Sequence, residues 1–189
     1  EAAKGCRGCP LHRDAIQTVF GEGPESARLV LVGEQPGDNE DEQGHVFVGP
    51  AGGVLWRIVG EIGIPREEIY ATNAVKHFKN EPRGKRRLHK KPSAAQVRAC
   101  NPWLREEVRL VRPRVVVALG STAAQALLGN AFRVTQRRGE LVQSEWAGPV
   151  IATVHPSSVL RAPGDVREQA REEFFEDIRK VAEFLGARG

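Results

Sequence analysis

The chain has 189 residues, 40% hydrophobic and 28% charged, a length and balance that suit one hydrophobic core and exclude a disordered or fibrous chain. Lys and Arg exceed Asp and Glu by 28 to 24, too small a surplus to name a polyanionic partner, so the placement of charge matters more than its sum. Apolar runs such as Val115–Leu119 fall far short of the roughly 20 residues of a membrane-spanning helix. The start lacks the basic-then-apolar pattern of a secretory leader, and Glu1 in place of Met reads as a trimmed chain. A soluble, cytoplasmic protein without membrane partners is expected.

From about residue 28 onward predicted strands and helices alternate, the pattern of an α/β three-layer sandwich with a mostly parallel central sheet. Arg28–Gly33 reads as a buried strand ending in a glycine-bounded loop. Over Gly52–Ile64, apolar Val54, Leu55, Ile58, Val59 and Ile62 recur at helical spacing. Ile69–Val75 is the next strand. Ser93, with Gln96 three residues later, forms a capping-box pattern that opens a helix running to about Val111. Arg114–Gly120 is a third buried strand, followed by a short helix over Ser121–Leu128. A strand near Val150–Val154 runs into His155-Pro156, and Arg167–Leu185 is a charged amphipathic helix. No repeat or linker interrupts the chain, so a single domain over 1–189 is expected, and the lack of a coiled-coil pattern favours a monomer.

Three of the strands run out into unusual loops: Gly33-Glu-Gln-Pro-Gly37, Asn73-Ala-Val-Lys-His77 and His155-Pro-Ser-Ser158. Ligands of open α/β sheets sit outside the carboxyl ends of the strands, so these loops should converge on one site. The glycine spacing matches neither a dinucleotide fingerprint nor a phosphate loop, and Gly120-Ser121 lacks the serine-hydrolase elbow. Glu34, Gln35, Asp38 and Glu40 instead place carboxylates and an amide on a glycine-flexed backbone that can face a polar, planar ligand. Arg83–Lys91 (RGKRRLHKK) carries six Lys or Arg in nine residues with no apolar periodicity; it reads as a loop suited to neutralising phosphates. His89 within it is able to act as a nucleophile at neutral pH, because surrounding cations disfavour its protonated form. Three cysteines cannot all pair, and Cys6-Arg-Gly-Cys9 in a chain without secretory features favours metal or redox chemistry.

The segments GEQPGDNED, FVGPAG, TNAVKH, LGSTAAQALLG and HPSSVLR, in that order over nearly the whole chain, resemble the family-4 branch of the uracil-DNA glycosylases. Lys85-Arg-Arg-Leu-His89 is similar to the insertion that marks the UdgX group of that superfamily, whose members stay covalently attached to the DNA they act on. The resemblance implies a uracil-DNA glycosylase-like fold and a nucleotide extruded into a pocket, because a duplex hides the bond to be cut. Asn73 would recognise uracil, its carboxamide accepting from N3–H and donating to O4, a pattern that cytosine reverses. Phe47 would stack on the base, the loop of Gln35 and Asp38 would line its edge, and Glu40 would help exclude the methyl group of thymine. Cleavage leaves positive charge on the sugar and negative charge on uracil. A neutral His155 would donate to uracil O2 together with backbone N–H groups of the Gln35 loop, while Glu34 stabilises the sugar or orients a nucleophile. His89 would attack C1′.

Lys85, Arg86, Arg87 and Ser157 are implied phosphate contacts, and Arg161 the side chain that fills the gap in the base stack. Cys6, Cys9 and Cys100, with His77 where the family usually carries a fourth cysteine, would hold a 4Fe-4S cluster in an N-terminal cluster-binding segment; spacing alone leaves structural zinc open. The implied partner is uracil-containing DNA, in single strands. Two rival readings are a conventional glycosylase in which water attacks, and a non-catalytic iron-sulfur module that binds nucleic acid.

Overall fold

Unbroken runs of Val, Leu and Ile leave a strand no polar face to turn to water, so such strands must be covered on both sides. The computed structural model describes residues 2–84 and 86–186. In chain order the elements are β1 (Leu29–Gly33), α1 (Asp38–Gln43), α2 (Pro50–Ile62), β2 (Ile69–Asn73), β3 (Asn80–Arg83), β4 (Arg86–His89), α3 (Ala94–Val111), β5 (Val115–Leu119), α4 (Ser121–Leu128), α5 (Val134–Arg137), β6 (Leu141–Ser144), β7 (Gly148–Thr153), α6 (Pro156–Arg161) and α7 (Arg167–Gly186).

The main sheet has the order β2-β1-β5-β7-β6, with the first four strands parallel and β6 antiparallel to β7. Side chains alternate across a strand, and here the alternation feeds two cores. Leu29, Leu31, Val115 and Val117 meet Leu55 and Ile58 of α2, Val159 of α6 and Phe174 and Ile178 of α7. Val30, Val32, Val116 and Ala118 face Leu104 and Val108 of α3 and Ala123 and Leu127 of α4. The result is the expected three-layer α/β arrangement. No helix among the described residues is long and apolar enough to cross a membrane.

Local chemistry moves some boundaries. The helix expected from Gly52 starts at Pro50 behind a Gly49 cap, where the fixed φ of proline suits the first helical position. β2 ends at Asn73 rather than Val75, although the N–H groups of Ala74 and Val75 still donate to the Gly33 and Glu34 carbonyls at 2.9 and 3.0 Å. The capping box forms as expected, with Gln96 Oε1 accepting the Ser93 N–H at 2.8 Å and Ser93 Oγ accepting the Gln96 N–H at 3.3 Å.

The basic run is not a loop. β3 and β4 pair antiparallel, Asn80 opposite His89 and Pro82 opposite Arg87, and Gly84 at φ +59° provides the left-handed conformation that hairpin turns require. Most of these side chains meet solvent, which is why no apolar alternation marks the hairpin in the sequence. Lys85 lies outside the described residues.

Candidate active site

A cavity of about 770 Å³ lies where the main strands end: Glu34 and Gln35 follow β1, Asn73 closes β2, Gly120 and Ser121 follow β5, and His155 follows β7. His89, the last residue of β4, joins them from the hairpin. Glu34, Gln35, Glu40, Phe47, Asn73, His89, His155, Ser157 and Arg161 all line it, as do Lys91 and Leu160. Asp38, Arg86 and Arg87 are not in the lining.

The side of the cavity suited to a planar ligand is built around Asn73, which is 3% exposed. A Cβ on Gly33 would come within 2.3 Å of Asn73 Oδ1 and 2.9 Å of Phe47 Cζ, so glycine at 33 is what lets amide and ring approach each other. Phe47 takes a left-handed backbone at φ +53°, a conformation that costs a non-glycine residue about 1–3 kcal/mol. Two features hold it there. Trp56 Nε1 donates to the Phe47 carbonyl at 3.0 Å, with its ring edge-on at 6.1 Å. Gly52 brings α2 so near that a Cβ there would sit 1.9 Å from the same carbonyl oxygen.

Asn73 is anchored from behind by a buried charge pair that the sequence reading did not find. Lys76 is wholly buried, and its Nζ donates to Thr72 Oγ1 at 2.6 Å, the Asn73 carbonyl at 2.7 Å and Glu107 Oε2 at 2.5 Å. All three ammonium protons are thereby used. Glu107 also accepts the Gly21 N–H at 2.9 Å and the Tyr70 and Thr72 hydroxyls. This satisfies the condition under which a buried ion pair is tolerated. The sequence signal was a lysine set among Ala74, Val75 and Phe78, too short a stretch to reveal its partner.

His155 caps α6, and its Nδ1 accepts the Ser157 N–H at 3.2 Å, with Ser157 Oγ at 2.8 Å. An accepting Nδ1 puts the ring proton on Nε2. Burial, aided by Arg161 and His89, pulls the imidazole down to about 4, so at neutral pH it is an uncharged donor. Glu34 Oε2 accepts a hydrogen bond from Thr122 Oγ1, while its Oε1 lies 3.4 Å from Nε2 of His89. The His89 side chain is half-exposed. A carboxylate thus stands at this range from it, a neighbour that the sequence does not point to.

Several expected contacts are spent within the protein. Gln35 uses its carboxamide on the Lys79 N–H and on the Lys79 and Lys90 carbonyls, at 3.2, 3.3 and 3.1 Å, clamping the base of the hairpin. Glu40 lines the cavity but accepts the Gly37 and Gly49 N–H groups at 3.0 and 2.7 Å, so it fastens the wall together. Asp38 and Arg87 require correction as substrate and phosphate contacts, because they bind each other at 2.6 Å, and Arg87 also binds Asp41 at 2.5 Å. Asp38 and Asp41, three residues apart on α1, present one face to the guanidinium and latch the hairpin to that helix. Ser157 orients His155. Arg86 is exposed, and Arg161 stands at the cavity beside exposed Leu160.

The sulfur-bearing corner is less closed. Trp103 Nε1 donates to Cys6 Sγ and the Lys76 N–H to Cys100 Sγ, both at 3.2 Å. Burial pushes the Cys100 thiol up to about 11 against the pull of Lys76, with Cys9 and Cys6 adding to the rise. His77 Nε2 meets Thr18 Oγ1 at 2.9 Å, and its Nδ1 is buried with no hydrogen-bond partner. Among the described residues no three His, Cys, Asp or Glu side chains come close enough to hold a metal ion.

Residues 20–179 match the uracil DNA glycosylase superfamily. The chain is 37% identical to the type-4 uracil-DNA glycosylase of Thermotoga maritima, over 100% of this chain and 94% of that protein. The type-4 enzyme of Archaeoglobus fulgidus is 36% identical over 97% of this chain and 89% of its own. A type-5 uracil-DNA glycosylase of Pyrobaculum aerophilum is 32% identical over 78% and 71%. With a mostly parallel sheet whose strand ends enclose a cavity, and with this similarity along nearly its full length, the chain belongs to the uracil-DNA glycosylase superfamily.

Proposed function

We propose that this protein removes uracil from single-stranded DNA and then bonds to the resulting sugar through His89, as a single-turnover glycosylase of the UdgX type. The observation that carries the reading is the convergence of Asn73, Glu34, His155 and His89 on one cavity. The extruded base stacks on Phe47, and the Asn73 carboxamide pairs with N3–H and O4 of uracil. As the bond from C1′ to N1 breaks, its electron pair leaves with uracil, and His155 Nε2–H donates to O2. Glu34, fixed by Thr122, opposes the positive charge on the sugar. The lone pair of a His89 ring nitrogen then forms the bond to C1′, and the imidazolium so produced loses its other N–H proton to solvent. The distance of 3.4 Å to Glu34 is too long to tether the ring, which leaves it free to turn to the sugar. Exposed Arg86 supplies phosphate attraction, and Arg161, in the lining of the cavity, fills the gap that the extruded base leaves in the stack.

A 4Fe-4S cluster held by Cys6, Cys9, Cys100 and His77 belongs to the same reading. Its support is the pair of N–H donors to sulfur and the unpartnered Nδ1 of His77; the four donors would have to draw together around the cluster. Bound there, it would tie the N-terminal segment to α3 and β2 as a structural staple.

The test is a denaturing gel with a uracil-containing single-stranded oligonucleotide. A shifted protein-DNA band is expected for the parent protein, and free abasic product without the band for His89→Ser. A parent that gives only free abasic DNA overturns the capture step, and unchanged DNA overturns the glycosylase reading altogether.

A further inference from the structure

Next to the active site, α3 and α4 enclose a second cavity of about 310 Å³. Lys91, Arg98, Asn101, Thr122, Gln125 and Asn130 are in its lining, which contains no Asp or Glu. It adjoins the first cavity through two residues. Lys91 lines both, and Thr122 lines the second while its hydroxyl holds Glu34 of the first. Asn101 Oδ1 is buried in the wall with no hydrogen-bond partner, an arrangement that costs free energy until a donor arrives.

We infer that this cavity is a subsite for a nucleotide flanking the uracil, with its phosphate near Lys91 and Arg98 and its unpaired base edge against Asn101. The inference rests on the reading of the larger cavity as the uracil site. A lining of cations and carboxamides without carboxylates favours an anionic ligand that carries both donors and acceptors, which describes a nucleotide. Every nucleobase offers an N–H group on its Watson–Crick edge, so each can satisfy the Asn101 acceptor, and that edge is free only when the base is unpaired. The subsite therefore gives a physical reason for a preference for single-stranded substrate. Because the two cavities share a wall, the occupant is a near neighbour of the uracil in the strand.

The experiment measures single-turnover uracil release from single-stranded oligonucleotides in which one flanking nucleotide at a time is replaced by an abasic spacer. In the parent, a spacer at a position on one side of the uracil should slow release about tenfold, the order expected from one buried hydrogen bond, while the mirror position has little effect. Asn101→Leu should release uracil from the spacer substrate as the parent does and gain nothing when the flanking base is restored. Gln125→Leu, on the other helix, should reduce the same gain, and Arg98→Ala should lower the salt slope by about one unit without removing the preference for a base. Equal rates with spacers at every position in the parent overturn the subsite, as does an undiminished flank effect in Asn101→Leu. Failure to release uracil from any substrate would instead count against the active-site reading, so the two failures are distinct.

Discussion

Neutral His155 can be tested through the stability of the fold. An unfolded histidine titrates near 6.5, whereas burial holds His155 down to about 4. Between these values the unfolded chain binds the extra proton, so the contribution to stability is complete above about pH 6.5 and is lost progressively as pH falls toward 4. At 1.36 kcal/mol per pH unit the whole window is worth about 3 kcal/mol, and the part between neutrality and pH 5 about 2 kcal/mol. His155→Asn isolates the effect, because asparagine is a good helix cap whose Oδ1 can take over acceptance of the Ser157 N–H, yet it does not protonate. Urea unfolding followed by tryptophan fluorescence at pH 7.5 and pH 5 gives four stabilities. The difference between parent and variant should move by about 2 kcal/mol in favour of the variant at pH 5, with the other titrating groups cancelling in the comparison. A difference that stays constant within about 0.5 kcal/mol refutes the buried neutral imidazole, and with it the donor assigned to uracil O2.

Asn73→Asp should lower the single-turnover rate of uracil release by about 10- to 100-fold, since a carboxylate accepts from N3–H but cannot donate to O4; an unchanged rate would remove Asn73 from base recognition. Lys76→Met leaves the Glu107 carboxylate buried without its counter-charge and should cost about 3–5 kcal/mol of stability, read from the urea midpoint at pH 7.5, with a loss under about 1 kcal/mol speaking against the buried pair as an anchor. The purified protein should contain iron and acid-labile sulfide and absorb broadly in the visible; stoichiometric zinc without iron would replace the proposed cluster by a structural zinc site.

The parts legible in the sequence are those whose physics is local. β1 and β5 announce themselves because a strand covered on both faces must be apolar at every position, and the start of α3 does so because Ser93 and Gln96 satisfy each other three residues apart. Asn73 and His155 could be singled out as candidates because polar residues at the carboxyl ends of such strands have few structural reasons to be there. Tertiary structure decided the partners. Arg87 is 46 residues from Asp41, Glu34 is 88 from Thr122, and Lys76 is 31 from Glu107. A cation destined for a carboxylate inside the fold looks the same in sequence as one destined for phosphate, and Arg87, held by Asp38 and Asp41, is of the first kind. The hairpin was hidden for a related reason: with solvent on most of its surface, nothing imposes an apolar alternation on β3 and β4. Residue type and spacing thus determine which chemistry the chain can offer, while long-range packing determines which groups remain free to offer it.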